Sequence, residues 1–322
     1  MNDVFLRVQP SAEAVRGRRK RLFKRAMFIT AMLIVPVIQF LVFFVYLNAS
    51  SFLMAFKTKN LYTGLEIWVG NQNFKTVFRE LYFKGEAGNL TIAIRNSLIY
   101  FVFNELVMSP MMLLLAFFFW KKMPGYKIYR FTFLLPSMIP GVVLPMLFAF
   151  MLDSSFGVLN PFLEMIGLGS KIPVNGWLGT YATAQTMIIV YMFWSGCGVS
   201  IMMMSGNINR LPAELFEAAR LDGIRLFQEL WYLVLPMLMP LFSIMVVTGT
   251  ATVFNIYMPP MLITKGGPNG STKTIAYILY EWTTQGNMYV GAAAGLLFSC
   301  ISIPLTLLLK WGLGKLTVSA EW

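Results

Sequence analysis

Long runs of apolar residues alternate with shorter polar stretches along most of the chain. A helix needs about 20 residues to cross the hydrocarbon core of a bilayer, and a charged side chain is costly there. Six segments meet this requirement, at about residues 27–54, 96–120, 131–152, 179–204, 233–262 and 287–310. The pattern therefore predicts an all-α integral membrane protein with six transmembrane helices.

Basic residues are concentrated in alternate loops, which predicts the orientation of the helices. Cytoplasmic flanks of membrane helices are enriched in Lys and Arg. The loop 121–130 contains four basic residues and no acidic one, whereas 153–178 contains only Lys171 as a basic residue. The N-terminal segment is also strongly basic. We therefore expect both termini to be cytoplasmic.

These features divide the chain into successive parts. They are a basic cytoplasmic N-terminus (1–26), a first membrane helix (27–54), an external segment expected to form a small ordered cap (55–95), a core of membrane helices (96–310) and a cytoplasmic tail (311–322). Residues 26–56 carry no charge, and this run is much longer than the about 7–15 apolar residues of a cleavable secretory signal. The first apolar segment is therefore expected to remain as a membrane helix.

Composition excludes several classes of function. Charged residues make up 12% of the chain, about half of what soluble proteins carry, and hydrophobic residues make up 57%. There is no histidine, and both cysteines lie in apolar runs, so we expect neither a disulfide framework nor a metal site. The sequence has no GxxxxGK[ST] pattern for binding ATP, so a catalytic role is not expected. The net charge of +12 follows the loops rather than a basic domain, so no nucleic-acid partner is expected.

The polar loop at about 205–236 has the pattern of ordered structure. Pro212 suits the first turn of a helix, and Gly223 suits its end because glycine adopts a left-handed conformation without strain. Phe227 begins a second apolar stripe that continues to Pro236. The loop is predicted to form two short helices separated by a turn. By periodicity alone, a surface helix that packs only on its own protein is the simpler interpretation.

The same loop carries a specific sequence. Glu217-Ala218-Ala219 is followed after three residues by Gly223, and after nine more by Leu-Val-Leu-Pro at 233–236. This arrangement resembles the EAA motif of binding-protein-dependent ABC importer permeases, with leucine at 233 in place of isoleucine. As in that family, the motif lies in the predicted cytoplasmic loop before the penultimate membrane helix.

The resemblance covers about residues 60–310. It includes Gly64-Leu65, Asn73-Phe74, Asn96-Ser97, Phe133-Leu134-Leu135-Pro136, Ile139-Pro140, Phe156-Gly157-Val158-Leu159-Asn160, Trp177-Leu178-Gly179 and Gly266-Gly267-Pro268. In this order the segments are similar to those of carbohydrate-uptake permeases, a subfamily that includes the larger maltose-importer permease. The resemblance implies the type I ABC importer permease fold and a sugar or oligosaccharide substrate, with acidic oligosaccharides such as alginate as a specific expectation.

The resemblance also implies partners. A second homologous permease, two ATPase subunits that bind ATP and Mg, and a soluble substrate-binding protein would complete an importer in the bacterial cytoplasmic (inner) membrane. This chain would supply half of the pathway and bind no cofactor itself. Its EAA loop would be the coupling helix, and the residues expected to contact the ATPase are Glu217, Ala218, Ala219, Asp222 and Gly223.

Small and polar residues on the fourth and fifth helices form the predicted substrate path. On the fifth, the residues at helical spacing are Gly249, Thr252, Val253 and Ile256, with Asn255 beside them, and on the fourth they are Gly196 and Val199. Their positions are similar to those that line the sugar path in the maltose permease. The alternative is that they only allow helices to pack closely, as small residues do in membranes.

Glu105 is the one charged residue clearly inside a predicted membrane helix. An intramembrane carboxylate is a candidate for a proton relay. A hydrogen bond to a neighbouring helix, or a place in a wet cavity, accounts better for an isolated acid. The alternative function is a secondary transporter driven by an ion gradient, which would be expected to show paired halves with broken helices and coupling acids at the midplane. The sequence shows neither.

Overall fold

Helices form nearly all of the regular structure. The computed structural model describes residues 12–60, 62–82 and 89–316, so parts of the predicted N-terminus, cap and tail lie outside the described residues. In chain order the α-helices are α1 (Ala12–Gln39), α2 (Leu47–Met54), α3 (Gln72–Tyr82), α4 (Asn89–Phe103), α5 (Ser109–Trp120), α6 (Tyr126–Leu134), α7 (Val143–Met151), α8 (Leu159–Met165), α9 (Tyr181–Ile208), α10 (Ala213–Leu221), α11 (Leu226–Glu229), α12 (Leu235–Val253), α13 (Met258–Leu262), α14 (Ile275–Thr284) and α15 (Met288–Leu316). Three π-helical segments, Phe40–Tyr46, Asn104–Met108 and Leu230–Val234, join successive α-helices, and 3-10 turns occupy Leu135–Met138 and Gly169–Lys171.

Five helical stretches in the described part of the chain are long and apolar enough to cross a membrane. They are Lys20–Met54, Leu90–Trp120, Tyr181–Ile208, Leu226–Thr252 and Met288–Lys315. They correspond to the first, second, fourth, fifth and sixth predicted helices, and the all-α membrane prediction is confirmed. The first stretch buries none of its most apolar window inside the chain, so its side chains are left to lipid or to another subunit.

The third predicted helix, 131–152, is not continuous. The structure has two helical pieces, Tyr126–Met138 and Val143–Met151, bent by 117°. Pro140 explains the break, because the residue before a proline avoids the helical conformation, and Ile139 is extended with φ −95° and ψ 136°. The six predicted membrane helices are therefore found if this bent pair is counted as one broken span.

The fifth predicted helix, 233–262, is also divided. Its long part ends at Val253, and the short helix α13 follows after residues 254–257. Pro259 and Pro260 account for this division, because proline lacks an N–H and fits only the first turn of a helix. The break creates a short loop, residues 254–257, between α12 and α13.

A two-stranded hairpin and α3 form the described part of the predicted cap. Strands β1 (Lys57–Lys59) and β2 (Glu66–Trp68) pair antiparallel. Asn73 of α3 fastens the hairpin, because its Nδ2 donates to the carbonyl oxygens of Ala55 at 2.9 Å and Lys57 at 2.7 Å. Lys57 Nζ also donates to Glu66 at 2.9 Å, and this contact holds the pKa of Glu66 below its usual value. The helix α4 begins at Asn89, inside the predicted cap.

One buried cluster holds α5, α9 and α12 together and extends to α10. Its members include Phe117 of α5, Ile201 of α9, Leu238 of α12 and Phe216 of α10. Burial of such side chains contributes about 1.5–3 kcal/mol each where the alternative is exposure to water. In the membrane the gain comes mainly from close packing. The cluster therefore joins the polar loop to the membrane helices.

Candidate functional site: the loop between α9 and α12 and the adjoining cleft

The loop contains two short helices, α10 and α11, separated by a tight turn. Gly223 has φ +74°, and it ends α10 in the left-handed conformation. Its N–H donates to the carbonyl of Arg220 at 3.1 Å, while the N–H of Ile224 donates to the carbonyl of Ala219 at 3.1 Å. These two bonds form a Schellman motif, which satisfies carbonyls at the end of the helix. The predicted arrangement of two helices and a turn is confirmed.

The two faces of α10 differ in exposure. Phe216 and Ala219, each 6% exposed, face the core of their own chain. Of the residues expected to contact an ATPase, Glu217, Ala218, Asp222 and Gly223 are exposed, and Ala219 is not. The sequence reasoning also missed Leu221, which is 89% exposed beside them. An apolar residue next to Asp222-Gly223 at the end of an amphipathic helix was the available signal.

Aromatic and ionic contacts attach the loop to the end of α5. The rings of Phe216 and Trp120 lie 4.7 Å apart. Lys121 Nζ donates to both carboxylate oxygens of Glu229, at 2.6 and 2.7 Å, and its charge lies 4.7 Å from the Trp120 ring centre. The side chains of Lys121 and Glu229 are only 19% and 9% exposed. These contacts therefore hold the loop against the end of α5.

A cleft of about 380 Å³ lies between the second membrane stretch, α9 and the loop after α12. It is lined by Asn104, Met108, Gly141, Tyr191, Met192, Ser195, Gly196, Asn255, Ile256, Tyr257, Met258 and Pro259. Three residues of the predicted path, Gly196, Asn255 and Ile256, are among them. Val199 and Thr252 are exposed but lie outside this lining, and the side chain of Val253 falls outside the described part of the structure.

Gly249, also predicted for the path, is a site of close helix packing. A Cβ there would lie 2.9 Å from Asn104 Nδ2 and 3.0 Å from Glu105 Oε1. The next residue, Thr250, is fully buried and donates to Glu105 Oε1 at 3.4 Å. The packing alternative therefore accounts for Gly249. Glu105 makes the expected hydrogen bond to a neighbouring helix, and its described partners are not titratable.

Segments that carry the family resemblance meet in space. Asn96 is fully buried, and its Nδ2 donates to the carbonyls of Ser271 at 2.7 Å and Lys273 at 2.9 Å. These carbonyls lie just beyond the Gly-Gly-Pro turn. Trp177 Nε1 likewise donates to Asn160 Oδ1 at 2.8 Å. The Asn96 amide thus connects the second membrane helix to the segment after the Gly-Gly-Pro turn, and the Asn160 amide connects α8 to Trp177.

The fold and the loop define an α-helical membrane permease of the type I ABC importer class. A chain in the crystal structure of a bacterial ABC transporter involved in the import of the acidic polysaccharide alginate has the same fold, with a TM-score of 0.77 over 94% of this chain and 100% of that chain at 23% identity. Residues 95–315 match the family described as binding-protein-dependent transport system inner membrane component, and the chain belongs to this family.

Relatives extend over most of the chain. The probable ABC transporter permease protein YurN of Bacillus subtilis is 26% identical over 85% of this chain and 92% of its own length. The multiple sugar-binding transport system permease protein MsmF of Streptococcus mutans is 28% identical over 86% of this chain and 92% of its own length. The sequence-based assignment to ABC importer permeases is confirmed, and nothing supports the secondary transporter.

Proposed function

We propose that this chain is the permease subunit of an ATP-driven importer for a sugar or oligosaccharide, and that it forms half of the translocation pathway. The observation that carries this proposal is the EAA loop, which presents an exposed helix end while its buried face is fixed to the membrane helices. The name of the relative MsmF supports a sugar substrate.

The importer contains further subunits in this proposal. Two separate ATPase subunits bind ATP and Mg, a second homologous permease completes the pathway, and a soluble binding protein delivers the substrate. A structurally similar transporter was crystallised with a periplasmic protein carrying alginate pentasaccharide, which supports the last of these partners. The complex lies in the bacterial inner membrane. Both termini are cytoplasmic, in agreement with the basic loop 121–130.

Glu217, Ala218 and Asp222 form the surface that contacts the ATPase. The small side chain of Ala218 lets a partner approach closely, and Glu217 accepts hydrogen bonds from N–H groups or basic side chains. Ala219 acts from the other face, where its small side chain lets α10 pack closely on its own core. Closure of the ATPase pair on ATP then moves α10 and α5 as one rigid unit between two states of the pathway.

The cleft favours hydroxyl groups over carboxylates. Its lining includes the polar side chains of Asn104, Tyr191, Ser195, Asn255 and Tyr257 and no charged one. Amide and hydroxyl groups both donate and accept hydrogen bonds, as sugar hydroxyls require. In this half of the path a neutral oligosaccharide is therefore the better fit, and alginate is the acidic alternative to be tested beside it.

Gly223→Pro tests the coupling role. Proline cannot adopt φ +74°, and it removes the N–H that donates to the Arg220 carbonyl, so the turn of the loop is lost. The variant should insert into the membrane at wild-type levels and lose most of the ATP hydrolysis that the loaded binding protein stimulates in the reconstituted complex.

Gly206→Ala is the matched control, because no atom lies within 4 Å of a Cβ at that helical position. It should retain wild-type stimulation. Unchanged stimulation in Gly223→Pro would refute the coupling role. Hydrolysis of ATP by this chain without the ATPase subunits would refute the division of labour between subunits.

A further inference from the structure

The π-helical segment Asn104–Met108 fits between two glycines on neighbouring helices. A Cβ at Gly249 of α12 would lie 2.9 Å from Asn104 Nδ2, and a Cβ at Gly196 of α9 would lie 3.0 Å from Met108 Cε. A larger residue at either glycine would require the side chain of Asn104 or Met108 to shift. Single-turn π segments inside α-helices occur frequently at functional sites. The close packing on both sides restricts the side chains of Asn104 and Met108.

Glu105 faces α12 rather than the cleft. Its Oε1 accepts hydrogen bonds from Asn104 Nδ2 at 2.9 Å and from Thr250 Oγ1 at 3.4 Å. Its Oε2 is buried and has no hydrogen-bond partner among the described residues. Glu105 is also absent from the cleft lining. The carboxylate is therefore not available to a substrate, and its clearest contact is with the neighbouring amide.

Asn104, by contrast, is one of the residues that line the cleft. Its Nδ2 donates to Glu105 Oε1 at 2.9 Å, so the amide end that faces Glu105 is the NH₂ group. The other end, Oδ1, accepts no hydrogen bond from the described residues, and it is not among the buried polar atoms. Glu105 thus fixes the amide so that a carbonyl acceptor is presented at the cleft beside Ser195 and Asn255.

We propose that Asn104 Oδ1 binds a hydroxyl group of the translocated saccharide, and that Glu105 is the residue that positions the Asn104 amide for this contact. The inference rests on the proposed function, because it requires a saccharide in the cleft. A fixed amide loses less rotational freedom on binding than a free one does, so the hydrogen bond forms at lower entropic cost. Glu105 acts only through Asn104 and touches no substrate.

Four substitutions, at Asn104 and Glu105, separate these roles. Asn104→Leu removes the acceptor at similar volume, and Asn104→Ala removes it with a smaller side chain in case leucine prevents assembly. Glu105→Leu releases the amide of Asn104. Glu105→Gln retains an oxygen that accepts from Asn104 Nδ2, so it should keep the Asn104 amide in place. Leu106→Ala is the control within the same π segment, because Leu106 is 71% exposed.

Each variant is reconstituted with its partner permease, the ATPase subunits and the binding protein. Uptake of radiolabelled maltopentaose and alginate pentasaccharide is measured together with stimulated ATP hydrolysis. Uptake of the transported probe per ATP hydrolysed should fall about five- to tenfold in the Asn104 variants and in Glu105→Leu, as expected for the loss of one hydrogen bond. Glu105→Gln and Leu106→Ala should remain within about twofold of wild type.

The outcomes separate this inference from the proposed function. Wild-type uptake ratios in assembled Asn104→Ala and Glu105→Leu complexes would overturn the inference and leave the proposed function intact. Equal losses in Glu105→Gln and Glu105→Leu would overturn the positioning role, since the charge and not the acceptor would then be required. If the wild-type complex hydrolyses ATP but transports neither probe, the proposed substrate class is overturned together with this inference.

Discussion

The ion pair between Lys121 and Glu229 ties the loop between α9 and α12 to the end of α5. Both carboxylate oxygens of Glu229 accept from Lys121 Nζ, at 2.6 and 2.7 Å. The substitution Lys121→Met keeps an unbranched side chain and removes the charge. Glu229, which is 7% exposed, would then hold a buried carboxylate without its cation.

The expected loss of stability follows from this burial. Removing one partner of a buried ion pair costs about 3–5 kcal/mol, because the remaining charge is left uncompensated. Lys121 keeps 19% of its side chain exposed, which lets water reach the site. We therefore expect a loss of about 3 kcal/mol, at the lower end of the range. In the double variant Lys121→Met/Glu229→Leu both charges are gone, and the net loss should be about 1 kcal/mol or less.

Thermal unfolding of the purified complex at one fixed scan rate tests whether the single variant is less stable than the double variant. The apparent Tm should fall by several degrees in Lys121→Met and should recover in the double variant. Lys122→Met is the matched control, because Lys122 is exposed and has no carboxylate partner in the described structure. A double variant with a Tm at or below that of Lys121→Met would refute the reasoning, since the damage would then not come from an orphaned charge.

Two further substitutions test the packing and the path. Gly198→Ala should lower the yield and Tm of the purified complex, because its Cβ would collide with the Phe133 carbonyl oxygen. Overpacking of this kind typically costs about 1–3 kcal/mol. The control Gly206→Ala should behave as wild type. In a chain without other cysteines, Thr252→Cys should react with a membrane-impermeant thiol reagent, whereas Thr250→Cys should not, because Thr250 is fully buried. Equal reaction rates would contradict the difference in exposure between these two positions.

The number of membrane helices could be predicted because it depends on the length of apolar runs, whereas their breaks depend on single residues. Residues 131–152 carry no charge and few polar side chains, and hydropathy alone does not show a bend of 117°. Proline alone does not mark such breaks, because Pro36, Pro240 and Pro304 lie inside continuous helices. The π segment Asn104–Met108 carries no such signal, since it lies within an uninterrupted helical pattern.

Some features of the candidate site could likewise be predicted from the sequence, and others could not. The turn at Gly223 was predictable, because a left-handed residue at the end of a helix favours glycine. The orientation of Ala219 was not, because the sequence places Ala218 and Ala219 side by side and only the packing of Phe216 on Trp120 decides which one faces the core. Contacts between residues far apart in the chain, such as Lys121 with Glu229, cannot be read from local periodicity.

The helix that receives the coupling loop also carries the proposed substrate contact. Leu90–Trp120 is one helical stretch, with Trp120 against the loop and Asn104 at the cleft. The two residues are separated by about 24 Å along the axis at the usual helical rise. A rigid movement of this helix at Trp120 must therefore shift Asn104 against α9 and α12, unless the helix bends. The π segment is where bending is easiest, and the side chains of Met108 and Asn104 at its two ends pack against Gly196 and Gly249. We therefore expect movement of the loop to change the shape of the cleft through this single helix.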